Sequence, residues 1–119
     1  MTIGEVSEKY GLSSDTLRYY EKIGLLKNIH KVNGRRDYTA DDERTLNFIL
    51  CMKNAGFNLD GIIKFLNLYE VGDDTLSERI DMLLMQKKKL SDEIEEKKKT
   101  MEFLNYKIDF YEKKRGGDK

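Results

Sequence analysis

Chemistry in this chain concentrates in one short basic stretch and one thiol. Between Ser13 and Arg36 lie six basic residues (Arg18, Lys22, Lys27, Lys31, Arg35 and Arg36) against Asp15 and Glu21, a local net charge of +4. The chain as a whole has 22 basic and 22 acidic residues and a net charge of zero, so the positive charge is focused rather than spread. Within SSDTLRYYEKIG, Leu17, Tyr20 and Ile23 recur at three-residue spacing and suit the inner face of a helix. Ser14, Asp15, Arg18, Tyr19 and Lys22 fall opposite. A guanidinium, a phenol and an ammonium on one exposed face suit contact with phosphates and a DNA groove. A plain solvated helix face fits this element equally well. The next segment, LKNIHKVNGRRDY, shifts the balance. Asn33-Gly34 is a strong two-residue hairpin turn, because both positions tolerate φ > 0. His30, Lys31, Arg35 and Arg36 crowd the two strands beside it. A basic helix followed by a basic hairpin is the layout of a winged helix-turn-helix, whose wing reaches along the phosphate backbone.

Other chemistries are poorly supplied. The single Cys51 excludes a disulfide framework and a thiolate zinc site, and the single His30 excludes HExxH. Neither GxGxxG nor GxxxxGK[ST] occurs. There is no paired acid–base constellation, and a lone thiol without a base is weak support for catalysis. The chain therefore reads as a non-enzyme without cofactor or metal. No stretch approaches the ~20 apolar residues of a membrane span. The N-terminal MTIGEVSEKYG carries Glu5 and Glu8 and lacks the apolar run of a signal peptide. The expected compartment is the reducing cytoplasm, in association with the nucleoid.

The elements that must position the basic stretch can be read from caps and breakers. Thr2 and Glu5 form a capping box that opens a helix ending at Gly11. Ser13 caps a second helix that runs through Ile23 to Gly24, and the two make a helix-turn-helix. Thr39, with Asp41, Asp42 and Glu43 behind it, starts a third helix running to Gly56. Asn58 caps a fourth that ends before Gly72, and Thr75 with Glu78 reads as another capping box.

From Leu76 no breaker occurs until Gly116. Ile80, Leu83, Leu90, Ile94, Met101, Leu104, Ile108 and Tyr111 follow a 3-4 spacing, with Lys87 and Lys97 in the polar slots. A helix over 76–114 would extend ~58 Å at 1.5 Å per residue. Nothing else in the chain is long enough to cover that stripe, so a second copy is the simplest partner. Charged residues make up 37% and hydrophobic ones 39%, which suits a small head with a long solvated helix. The Lys87–Lys89 and Lys97–Lys99 runs, interleaved with acids, read as solvated faces. The expected fold is mainly α. A winged helix-turn-helix head with an accessory helix pair occupies 1–74, a dimerising antiparallel coiled-coil helix 75–115, and a disordered tail 116–119.

At this point the sequence resembles the MerR family of transcriptional regulators. The likeness is carried by Ile3-Gly4-Glu5-Val6, Thr16-Leu17-Arg18-Tyr19-Tyr20-Glu21, Gly24-Leu25 and Asn33-Gly34-Arg35-Arg36-Asp37-Tyr38. It covers residues 1–70 by motif and the coiled coil by architecture. The resemblance implies a homodimer that binds double-stranded promoter DNA between over-spaced promoter elements and distorts it so that RNA polymerase holoenzyme can engage. It places Arg18, Tyr19, Arg36 and Tyr38 at DNA-contacting positions, with Leu17 and Tyr20 in support. Ser14, Thr16, Lys22, Lys31 and Arg35 complete the candidate set.

The chain stops after the coiled coil, which implies a member without an effector domain. It also lacks the cysteines by which metal-sensing members hold their ion. The run Phe48-Ile49-Leu50-Cys51-Met52-Lys53-Asn54-Ala55-Gly56 is similar to single-cysteine members that respond to aldehydes and other electrophiles. A sensor needs an accessible thiolate. Against this, free cysteine is among the most buried residue types, and a core role fits Cys51 on that ground. Two rivals remain: a constitutive or partner-regulated repressor with an inert Cys51, and a coiled-coil adaptor whose head binds protein.

Overall fold

The computed structural model describes residues 1–117. It divides into two units, Met1–Met82 and Leu83 onward. The first unit is a helical head with a small hairpin. Helix α1 (Ile3–Tyr10) begins at a capping box in which Thr2 Oγ1 accepts from the Glu5 N–H and Glu5 Oε1 accepts from the Thr2 N–H. It ends at Gly11 with φ +66°. Only three residues then separate it from α2 (Ser14–Lys22), capped by Ser13, whose Oγ accepts from the Thr16 N–H. Strands β1 (Lys31–Val32) and β2 (Arg35–Arg36) pair antiparallel, with Lys31 opposite Arg36 and Val32 opposite Arg35. Asn33 and Gly34 turn with φ +51° and +76°, the left-handed pair that this type of hairpin demands.

Helix α3 (Ala40–Asn54) starts at a reciprocal box between Thr39 and Asp42, and α4 (Leu59–Val71) at Asn58. Val6, Leu17, Tyr20, Leu46, Ile49 and Ile62, one or two from each of the four helices, make the fully buried centre of the head. Polar ties reinforce the packing at its rim. Glu43 of α3 accepts from Lys9 Nζ at 2.7 Å and Tyr10 Oη at 2.8 Å on α1. Those bonds hold its carboxyl below the usual carboxylate range.

The passage to the last helix differs from expectation. Thr75 does not act as a helix cap with Glu78. It ends a single 3₁₀ turn (Asp73–Thr75) and is buried. Its hydroxyl hydrogen-bonds to the carbonyls of Leu68 (2.7 Å) and Gly72 (2.8 Å) and accepts from Arg79 Nε (3.0 Å). Leu68 lies in α4, a tertiary partner that no local pattern announces.

Helix α5 (Leu76–Arg115) follows without interruption for 40 residues. In the second unit, every expected stripe residue from Leu83 to Tyr111 is exposed, from 38% at Leu90 to 60% at Tyr111. The other faces carry same-helix ion pairs such as Lys88–Asp92 and Lys113–Asp109, as the solvated-face reading of the lysine runs expects. Gly116 and Gly117 still donate to the carbonyls of Glu112 and Lys114; the last two residues of the expected tail lie outside the described residues. No helix among the described residues is long and apolar enough to cross a membrane.

Replacing Thr75 by Val keeps the shape and removes the hydroxyl, so the half-buried Leu68 and Gly72 carbonyls and Arg79 Nε each lose one hydrogen bond. The expected cost is about 1–3 kcal/mol in urea unfolding, with Thr75→Ser losing less. An unchanged unfolding midpoint in Thr75→Val would contradict this role.

Candidate nucleic-acid interface

Helix α2 presents two faces because its inner one is pinned. Leu17 and Tyr20 are 0% and 2% exposed, and Lys53 of α3 reaches Tyr20 from behind, donating to its Oη at 2.9 Å with the ammonium 5.7 Å from the ring centre. The helical repeat then turns Arg18, Tyr19 and Lys22 outward, and all three are exposed. Arg18 is loosely held by Asp15 one turn back, Nη1 to Oδ1 3.0 Å, with both side chains well exposed. Thr16 and Ser14 are both half-buried. Thr16 Oγ1 lies 2.8 Å from Ser13 Oγ, so its hydroxyl belongs to the N-cap.

On the wing, Lys31 and Arg35 are exposed and make no ion pair among the described residues. Arg36 is different. Its Nε donates to Glu21 Oε2 at 2.6 Å, joining β2 to α2, and both side chains are largely covered. Lys31 stands directly opposite Arg36 in the hairpin, a like-charge placement that costs stability. Glu21 offsets it.

Tyr38 departs from expectation. Placed by resemblance at the DNA interface, it is 3% exposed and packs in the head core, its hydroxyl without a partner among the described residues. Burial is the main cause of its raised phenol pKa, with the Glu21 charge adding to it and Arg36 opposing. Cys51 lies on α3 beside the inward-facing Leu46, Ile49 and Met52, yet it is exposed. The buried-core expectation for its thiol therefore does not hold in this chain.

Two participants were not visible as such in the sequence. Glu21 reads in the sequence as an acid among basic residues and as one member of the family motif, and Lys53 as one residue of the run around Cys51. The adjacency of Glu21 to the buried Tyr20 was the available signal for the first. Nothing local pointed to the second.

A helix-turn-helix with a basic outer helix and a basic two-strand wing defines a winged helix-turn-helix of the DNA-binding class. The comparisons agree. Residues 1–68 match the MerR HTH family regulatory protein family, and residues 43–105 match the family described as MerR, DNA binding. The chain belongs to the MerR family of DNA-binding transcriptional regulators. It is 38% identical over 113 residues to an uncharacterized HTH-type transcriptional regulator of Haemophilus influenzae, covering 94% of this chain and 84% of that one. It is 37% identical over 91 residues to the HTH-type transcriptional regulator AdhR of Bacillus subtilis, covering 76% of this chain and 65% of AdhR. Among solved structures, HiNmlR, described as a MerR family regulator lacking the sensor domain and bound to promoter DNA, superposes with a TM-score of 0.82 at 36% identity. That match covers 98% of this chain and 94% of HiNmlR.

Arg18→Ala removes an exposed cation from the outer face of α2 without touching the core. Affinity for operator DNA is expected to fall, and the dependence of log K on log salt to flatten by about 0.9 for each phosphate no longer neutralised. Equal affinity and slope in a salt-series titration would remove Arg18 from the interface.

Proposed function

We propose that two copies of this chain bind promoter DNA through α2 and the wing, distort it so that RNA polymerase holoenzyme can engage, and are switched by an electrophile at Cys51. In this reading residues 1–74 are the DNA-binding head and 75–115 the dimerisation helix. Ser14, Thr16, Arg18, Tyr19, Lys22, Lys31, Arg35 and Arg36 serve the DNA face. The observation that carries the DNA half is the exposure of Arg18, Tyr19 and Lys22 on the outer face of a pinned helix, with Lys31 and Arg35 exposed on the wing that Arg36 ties to it. Bending a site of this kind costs on the order of 1–6 kcal/mol. Phosphate contacts from two heads held at a fixed separation supply that energy better than one head does. The unpartnered stripe of α5 favours a second copy as the element that sets the separation. Similarity to HiNmlR supports promoter DNA as the ligand.

The switch half is supported by the exposed thiol and by the similarity to AdhR. A Cys51 thiolate adds to an aldehyde carbonyl carbon; an S–C bond forms, the carbonyl π pair moves to oxygen, and a proton from water completes a hemithioacetal. The adduct enlarges one side of α3, the helix whose Lys53 holds Tyr20 of α2. A shift of α3 thereby reaches the DNA-facing helix through a single hydrogen-bonded contact. The alternative is a constitutive or partner-regulated repressor in which Cys51 is inert.

The test is in-vitro transcription from the region upstream of the protein's own gene, with and without a small aldehyde, comparing wild type with Cys51→Ser. Aldehyde-dependent change in the wild type alone is the expected result. Promoter binding with no response in either protein would leave the DNA half standing and remove that inducer class.

A further inference from the structure

The ion pair between Glu21 and Arg36 differs in kind from the others around it. Arg18–Asp15 lies within one helical turn, with side chains 49% and 96% exposed, and exposed pairs of that sort contribute little. Glu21–Arg36 joins two separate elements, and the side chains of Glu21 and Arg36 are 19% and 27% exposed. A short charge-assisted hydrogen bond at that burial belongs to the stronger class. It engages Arg36 through Nε alone. Of the five N–H donors of a guanidinium, four sit on the two terminal nitrogens, and these have no acceptor among the described residues. The strand end is fixed close by, since the Asp37 N–H donates to the His30 carbonyl at 2.7 Å, and Tyr38 is buried in the core two residues beyond Arg36.

We propose that Glu21 is a positioning residue for DNA binding: by accepting from Arg36 Nε, it fixes the planar guanidinium so that the terminal nitrogens are presented to a backbone phosphate. The inference rests on the DNA-binding reading above. A planar fork held before contact loses less freedom when it binds. Charge counting alone gives the opposite expectation, because an acid in a basic interface repels phosphates and its neutralisation strengthens binding. The sign of the effect therefore separates the two.

The experiment is a salt-series anisotropy titration of the full chain on a duplex enriched from a random pool by the wild type. The proteins compared are wild type, Glu21→Gln, Arg36→Ala and the double variant, with thermal melts checking that each is folded. Glu21→Gln keeps an acceptor oxygen but not its charge, and is expected to bind roughly tenfold more weakly as the bond to Arg36 loses its ionic partner. Arg36→Ala is expected to weaken binding and flatten the salt slope. In the Arg36→Ala background, Glu21→Gln is expected to cause no further loss and to raise affinity slightly, since only its repulsion of phosphate remains. If Glu21→Gln does not fold, Glu21→Asp keeps the charge but shortens the reach, and the same loss is expected only where Arg36 is present. Equal or tighter binding by the Glu21 variant would overturn the proposal, as would the same loss with and without Arg36. A wild type that enriches no duplex would overturn the DNA-binding reading and this inference with it.

Discussion

A helix can read DNA from one face only if its other face is immobile, and the head is organised around that requirement. Leu17 and Tyr20 of α2 are sealed in a core supplied by all four helices of the head, and burying side chains of this size stabilises by about 1.5–3 kcal/mol each. Tyr20 is also a polar anchor, since a buried phenol without a partner is costly and Lys53 provides one. Because the inner face is fixed, the outward direction of Arg18, Tyr19 and Lys22 follows from helical geometry without further contacts. The wing uses the same support at second hand. A two-strand hairpin this short has little stability of its own. The Glu21–Arg36 bond ties it to α2, and the burial of Tyr38 seats its exit strand in the core.

The second unit obeys a different constraint. From Leu83 onward α5 carries an apolar stripe open to solvent, which is an unfinished surface. Its other faces are satisfied locally, by charge pairs three and four residues apart that each contribute a few tenths of a kcal/mol. Such pairs support helicity but cannot compensate an uncovered stripe. Lys87 and Lys97 interrupt the stripe at two heptad positions. Polar residues in such a seam commonly fix register and partner number at some cost in stability. If two heads meet one operator, as proposed above, a fixed register is worth that cost.

Much of this was legible in the sequence because it is written in local rules. The Thr2, Ser13, Thr39 and Asn58 caps, the Asn33-Gly34 turn and the 3-4 stripe each depend on residues within a turn or two of one another. The departures involve contacts distant in sequence. The Thr75 hydroxyl has the spacing of a cap but finds the Leu68 carbonyl of α4 instead. Tyr38 belongs to a motif that implied DNA contact, yet the strand exit turns it into the core. Glu21 and Lys53 look like surplus charges until the fold brings each across to one partner, 15 and 33 residues away respectively. The exposure of Cys51 was likewise open, because the alternation of α3 is weak around a thiol that suits either face.

Operator binding, on this view, needs two heads whose separation α5 sets. Leu90→Glu with Ile94→Glu places carboxylates in the stripe while leaving residues 1–82 unchanged. Sedimentation velocity and operator titration should be run on the same samples. The expected result is a folded monomer that keeps weak, salt-sensitive DNA binding and loses tight binding to the full operator. A monomer that still bound the full operator as tightly as the wild type would contradict the role given to α5.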